Sequence, residues 1–302
     1  MSEGSTHGTV AWRELLSETT RRLADAGIEQ PAAEARWIIE TASGLEGADL
    51  ALGLDEPATQ RGVAHLDSMA ERRVAGEPLQ HVLGSWGFRT LDLLCDRRAL
   101  IPRPETEQVV EVALAELDRI LLARPEGHRA VAVDLGTGTG AMALSIAVER
   151  PGTEVWGTDS SNDALAVARA NLAGLGMAGG RVRLADGDWF SPLPEELRGG
   201  VDLVVTNPPY VAADETLPPS VADWEPTSAL VSGPTGLECY ERILADAPAW
   251  LAPGGAVVVE IGATQAEAVS AVATRNGFVG CRVEQDHAGL DRIVVAVSPR
   301  AM

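Results

Sequence analysis

Apolar residues recur at two different spacings along this chain, and the change of spacing divides it. Near the start they return every three or four positions. Trp12, Leu15, Leu16 and Leu23 form one stripe, Ala35, Trp37, Ile38 and Ile39 a second, and Val63, Leu66 and Ala70 a third. That period is helical. Pro31, with a φ preset for a first helical turn, opens the second helix, which Gly44 stops, and the third ends near Gly76. The pattern predicts a small helical domain over residues 1–80. It carries no catalytic constellation, and its expected task is recognition of a partner.

Between Gly76 and Glu105 the texture changes. Val82-Leu83-Gly84 and Leu91-Asp92-Leu93-Leu94 read as extended, with turn formers between and after them. They predict a strand-rich linker, a hairpin, over residues 81–104. Ile101-Pro102-Arg103-Pro104 closes it, because a residue before proline avoids the helical region. Helical spacing resumes from Glu105 to Leu122 through Val109, Val112 and Leu117.

From Ala130 onward short apolar runs alternate with helical stretches. Ala130–Leu135, Glu154–Thr158, Arg181–Ala185, Val201–Thr206 and Ala256–Ile261 are strand candidates. Ala141–Glu149, Ala164–Leu172 and Cys239–Ala247 are helices between them. Phe278–Glu284 and Arg292–Val297 add two strands joined by a polar loop around Gly289. Such alternation predicts a doubly wound, mostly parallel α/β sheet over residues 105–302.

Composition narrows the function classes. With 44 acidic and 24 basic side chains the net charge is −20, and a surface so acidic repels a phosphate backbone. Direct nucleic-acid binding is therefore not expected, although a local basic patch would permit it. No apolar run is long enough to cross a membrane. Met1 to Val10 has neither the basic flank nor the apolar stretch of a secretory signal, so a cytoplasmic location is expected. Cys95, Cys239 and Cys281 are isolated and read as reduced, packed thiols. The five histidines are scattered without ligand spacing, so no metal is expected. No apolar stripe is left over, and a monomer is the default.

Val133-Asp134-Leu135-Gly136-Thr137-Gly138-Thr139-Gly140 leads from a strand into a helix. Alternate glycines let the backbone turn sharply and approach a ligand closely. Dinucleotide and methionine-sulfonium cofactors both use such turns. Asp159 ends the next strand, where a carboxylate can accept both ribose hydroxyl protons of an adenosine; a helix cap or surface aspartate is the bland alternative. Asp186-Gly187-Asp188-Trp189-Phe190 follows the third strand. An acidic side chain there, such as Asp188, can receive an adenine amino group, and Trp189 can cover the ring or simply fill the core.

The fourth strand separates a dehydrogenase from a methyltransferase. It breaks at Asn207-Pro208-Pro209-Tyr210, beyond the carboxyl end of the strand, where ligands of open α/β sheets sit. The prolines remove backbone donors and stiffen the turn. The Asn207 side-chain oxygen and the Pro208 carbonyl can then accept both hydrogens of an NH2 group, with Tyr210 stacked on the flat group that carries it. Two acceptors support the positive charge that builds as a methyl arrives and align the nitrogen with the leaving group. An Asn-Pro turn with a stacking tyrosine is the structural alternative. By itself the motif stops at a planar nitrogen.

This tetrapeptide resembles that of amino-group methyltransferases acting on adenine, cytosine or glutamine nitrogens, and the rest of the chain is similar to one branch, the release-factor glutamine methyltransferases. Gly76-Glu77-Pro78-Leu79-Gln80-His81, Leu100-Ile101-Pro102-Arg103-Pro104-Glu105-Thr106-Glu107 and Asp134 to Gly140 match that pattern. So do Asp188-Trp189-Phe190, Glu225-Pro226, Ala229-Leu230, Gly254-Gly255 and Glu260-Ile261-Gly262. The resemblance implies a Rossmann-like class I methyltransferase sheet with S-adenosylmethionine as cofactor. It implies a glutamine in the Gly-Gly-Gln loop of class 1 peptide-chain release factors as substrate and N5-methylglutamine as product. Gly136, Thr137, Gly138, Thr139, Gly140, Asp159, Asp188, Trp189 and Asn207 would contact the cofactor, and Asn207, Pro208, Pro209 and Tyr210 the glutamine. Trp86-Gly87-Phe88-Arg89-Thr90 departs from the family's pattern and puts the linker's contacts in doubt. An adenine-N6 nucleic-acid methyltransferase is the rival reading, opposed by the acidic balance.

Overall fold

The computed structural model describes residues 10–300. Met1 to Thr9, the stretch read against a secretory signal, and His7 within it lie outside the described residues. The chain divides into two compact units, Met1–Ser85 and Trp86–Met302.

The first unit is helical: α1 Trp12–Asp25, α2 Pro31–Ser43, α3 Gly47–Gly53, α4 Gln60–Val74 and α5 Leu79–Leu83. Trp12, Leu15 and Leu23 of α1, Ala35, Ile38 and Ile39 of α2, and Leu66, Met69 and Ala70 of α4 are buried. Thr59 caps α4 by accepting from Gly62 N at 3.0 Å. Arg73 and Glu34, both largely buried, pair at 2.5 Å and tie α4 to α2.

Two local readings change, and one helix goes unread in the sequence. Trp37 is 41% exposed, because Ala35, Ile38 and Ile39 share a face that a residue two positions after Ala35 does not reach. Val82-Leu83-Gly84 is not extended. Leu79 and Val82 are buried one turn apart in α5, and Gly84 closes that helix in the left-handed region at φ 81°. A short apolar run does not distinguish a strand from a buried helix turn. The extended stretch therefore begins at Ser85 instead of residue 81. Helix α3 buries only Leu50, too little to mark a face in the sequence.

A hairpin of β1 Ser85–Phe88 and β2 Leu91–Leu94 follows, then α6 Pro104–Leu121. Arg89 at its turn sits in the left-handed region at φ 52°, which a non-glycine residue adopts only when its surroundings hold it. Its guanidinium bonds Glu149 at 2.6 Å and Glu111 at 3.1 Å, and its N–H reaches Glu107 at 3.1 Å. The hairpin is thereby anchored on the helices behind it, within the segment that departs from the family's pattern. Asn171 fastens its other end, accepting from Leu94 N at 2.7 Å while donating to the Thr139 carbonyl at 2.9 Å.

The remaining elements are β3 Val131–Leu135, α7 Ala141–Glu149, β4 Glu154–Asp159, α8 Asn162–Gly174, β5 Val182–Asp186, β6 Val201–Thr206, β7 Val211–Ala212, α9 Pro219–Ala222, β8 Val231–Gly233, α10 Glu238–Trp250, β9 Leu251–Glu260, α11 Ala266–Arg275, β10 Val279–Gln285 and β11 Asp291–Val297. Seven strands form one sheet in the order β10-β11-β9-β6-β3-β4-β5. The pairs among β9, β6, β3, β4 and β5 are parallel, and β11 is antiparallel to both its neighbours. Each strand candidate lies in this sheet, whose α/β class is the expected one. Alternate residues face opposite sides. Ala132, Leu203, Val205, Ala256 and Val258 pack with α6 and α7, whereas Val133, Leu135, Val204, Val257 and Val259 pack with α10 and α11. The order reverses between β3 and β6, and the crevice beyond their carboxyl ends is where such sheets bind ligands.

Candidate functional site

The register of the two central strands places the two motifs side by side. Leu135 pairs with Thr206, and the Thr206 hydroxyl donates to the Leu135 carbonyl at 2.7 Å. Gly136 and Asn207 therefore leave adjacent strands at the same level. Gly136, Gly138, Asp159, Asp188, Trp189, Asn207 and Pro209 line one cleft of about 830 Å³, open mouth included. Thr137 and Thr139 line an adjoining depression with Gly138, Asn207 and Thr106. Gly140, Pro208 and Tyr210 line neither. Gly140 instead starts α7, where a methyl group on it would meet Leu144 at 3.1 Å.

The glycine loop is held by bonds from its backbone N–H groups to the end of β4. Gly136 N and Thr137 N both donate to the Thr158 carbonyl at 2.9 Å, and Gly136 and Gly138 take left-handed φ values of 70° and 57° that L side chains rarely adopt. Gly138 N donates to Asp159 Oδ2 at 2.9 Å, and Ser161 N to Asp159 Oδ1 at 2.8 Å. Burial nevertheless pushes the Asp159 carboxyl above the usual range. In the strand that leads into the loop, Asp134 accepts from the Thr137 hydroxyl at 2.7 Å and Ala143 N at 3.0 Å. Its other oxygen is buried without a partner, and burial raises its carboxyl to about 7.

Trp189 takes φ 50°, left-handed for a bulky side chain. A methyl group on Gly136 would touch its ring at 3.5 Å, and its indole N–H is buried with no partner. The tryptophan thus packs against the glycine loop with a free donor. Asp188 lines the cleft, but its carboxylate is paired with Arg242, and Asp186 accepts from the Asn162 amide at 3.1 Å. Cys239, read as a packed thiol, also lines the cleft, and burial pushes its thiol up. Cys95 does pack, with its thiol pushed to about 12 by burial.

Several residues in this region had no role in the sequence reading. Glu225, buried, accepts from Ile101 N at 3.0 Å and pairs with Arg103. It joins the segments that contribute Leu100 and Pro226 to the cleft. Gln265 donates to the Tyr210 carbonyl at 3.0 Å and accepts from Gly262 N at 3.0 Å. Asn207 Nδ2 donates to the Thr106 hydroxyl at 3.3 Å, which donates to Glu260 Oε2 at 2.7 Å. Glu260 is buried, and its carboxyl is raised to about 7 by that burial. Glu225, Thr106 and Glu260 belong to matched segments, but only spatial neighbours give them work, and nothing in the sequence singles out Gln265.

Two family descriptions match the chain, PrmC N-terminal domain over residues 14–84 and Methyltransferase small domain over residues 116–222. A protein of Geobacter sulfurreducens named release factor glutamine methyltransferase is 38% identical over 284 residues, covering 93% of this chain and 95% of the relative. The identically named protein of Cereibacter sphaeroides is 40% identical over 293 residues, covering 95% and 99%. A crystal structure of a methyltransferase from Pyrococcus furiosus covers 80% of this chain and 100% of its own, with 17% identity and a TM-score of 0.50; that likeness is one of fold.

Proposed function

The chain belongs to the release factor glutamine methyltransferase family, and from that premise we propose that it methylates the side-chain nitrogen of the glutamine in the Gly-Gly-Gln loop of class 1 release factors, with S-adenosylmethionine as donor. The observation that carries this reading is the Leu135–Thr206 register, which sets the Asn207 motif beside the glycine loop.

The residues fit the cofactor. The left-handed loop leaves room beside Gly138, where a methyl group would meet nothing within 4 Å. The buried Trp189 N–H lacks a partner, and the Asp159 carboxylate has lone pairs beyond its backbone bonds. When bound, S-adenosylmethionine supplies an electrophilic methyl on sulfur and leaves as S-adenosylhomocysteine. Gly136 to Thr139, Asp159, Asp188, Trp189 and Asn207 are the residues assigned to hold it, whereas Gly140 serves the start of α7.

A carboxamide nitrogen is a weak nucleophile because its lone pair is delocalised into the carbonyl. Asn207 Oδ1 and the Pro208 carbonyl accept hydrogen bonds from its two N–H groups, align it and stabilise the charge that builds on it. Pro209 stiffens the turn and Tyr210 stacks on the amide plane. Gln265 holds Tyr210 by its backbone carbonyl. Methylation makes a nitrogen-bound proton strongly acidic, so it passes to solvent and no strong base is required. The helical unit, residues 1–80 as read from the sequence, recognises the release factor. The protein acts as a cytoplasmic monomer that binds neither nucleic acid nor membrane. Among the described residues no helix is long and apolar enough to cross a membrane.

Incubation with methyl-labelled S-adenosylmethionine and a release factor tests the reading. Label is expected on one glutamine and none on a factor with that glutamine changed to alanine. Label on the altered factor, or on oligonucleotides with adenine targets, overturns it.

A further inference from the structure

We propose that Thr106 and Glu260 are positioning residues that fix the polarity of the Asn207 side chain, so that its oxygen and not its NH2 group faces the cleft. The proposal rests on the methyl-transfer reading above and deepens it, because it explains why the site takes a group that offers N–H donors.

The contacts run inward from the strand ends. Thr206 pairs with Val259, so Asn207 and Glu260 are the next residues on neighbouring strands. Pro104 starts α6, which puts Thr106 in its first turn, between the two. The three side chains form one line, Asn207 Nδ2–H to Thr106 Oγ1 at 3.3 Å and Thr106 O–H to Glu260 Oε2 at 2.7 Å. Glu260 is 2% exposed and Thr106 5%, so water does not readily replace either partner.

Hydrogen-bond chemistry gives this line one direction. Once Glu260 is ionised, which it is above about pH 7, its carboxylate only accepts, so the single Thr106 proton is committed to it. The Thr106 oxygen then has only lone pairs left for Asn207. Asn207 must answer with its NH2, and its Oδ1 points the other way. Among the described residues Asn207 Oδ1 has no partner, so it remains a free acceptor. Reversing the amide would set an oxygen against the Thr106 lone pairs and an NH2 against an incoming NH2. Both contacts are repulsive.

Three variants separate the proposal from a merely structural role. Thr106→Val keeps the side-chain shape and removes the hydroxyl. Thr106→Ser keeps the hydroxyl. Glu260→Gln can donate to Thr106, which frees the Thr106 proton to face Asn207 and permits the reversed amide. Thr106→Val and Glu260→Gln are expected to lower kcat by about 10- to 100-fold, the scale of one misdirected buried hydrogen bond. The dissociation constant for S-adenosylhomocysteine should stay within about threefold, and Thr106→Ser should recover most of the rate. Nitrogen-15 NMR of the Asn207 side chain reads the line without turnover. One amide proton should be protected from solvent exchange in the unaltered protein and in Thr106→Ser, and unprotected in Thr106→Val. A Thr106→Val enzyme with full kcat, equal losses in the valine and serine variants, or no protected proton in the unaltered protein overturns the proposal. A protected proton in a protein that methylates no glutamine supports the hydrogen-bond line and overturns the function reading instead.

Discussion

Replacing Asp159 with asparagine changes little in shape and much in bonding. The carboxylate accepts from Gly138 N through one oxygen and from Ser161 N through the other. An amide has one oxygen, so one of these N–H groups must face an NH2 donor. The loop bears part of that cost before any ligand arrives, about 1–3 kcal/mol for a buried donor left without an acceptor. A ligand hydroxyl that bonded the carboxylate also loses a charge-assisted partner, about 1.5–3 kcal/mol. Only the second loss enters binding in full, which corresponds to roughly 10- to 150-fold in affinity. Titration calorimetry with S-adenosylhomocysteine measures it directly. Burial raises the Asp159 carboxyl above the ordinary range, and its protonated form is a weaker acceptor. The affinity of the unaltered protein should therefore fall as pH drops through that raised value, while Asp159→Asn should lack this dependence. A loss below threefold, or the same pH dependence in both proteins, would refute the assignment of Asp159 to the ligand.

Two further outcomes test the scaffold. Asp202 is fully buried and accepts from Arg124 at 2.7 Å and Val131 N at 3.1 Å, with the His128 ring at 2.8 Å. Asp202→Ala leaves Arg124 without its counter-charge and should cost about 3–5 kcal/mol in urea unfolding; a cost below about 1 kcal/mol contradicts that. Asp134 keeps its proton up to about 7 in the folded chain but releases it near ~4 when unfolded. The folded state binds more protons in that window, so the contribution is complete below ~4 and is lost as pH rises through about 7. Asp134→Asn does not titrate, so its stability relative to the unaltered protein should improve with pH by up to about 1.4 kcal/mol per unit across that window. A difference that does not vary between pH 5 and pH 8 would contradict the buried, proton-holding carboxyl.

Much of the sheet is readable along the chain because each strand carries its own evidence. Val201–Thr206 is apolar on both faces and bounded by turn formers, and it is buried throughout. The hairpin region is less readable. Leu79–Leu83 has too few residues to show a period, and Pro78 and Gly84 close a helix turn as readily as they bound a strand. The left-handed Arg89 and Trp189 have no signal at all, because their conformations are held by contacts with distant residues.

The candidate site divides in the same way. Apolar periodicity and motif spacing alone determined the α/β class, the glycine loop, Asp159 and the Asn207–Tyr210 turn, since each is a local pattern legible in neighbouring residues. Only the tertiary structure decided that Asp188 pairs with Arg242, that Cys239 reaches the cleft, and that Glu225 bridges its two margins. Only it decided which way Asn207 faces, because that direction depends on Thr106 and Glu260, far away in the chain and adjacent in space. A hydrogen bond's direction is set by what the next partner has left to give, and sequence order does not record who the next partner is.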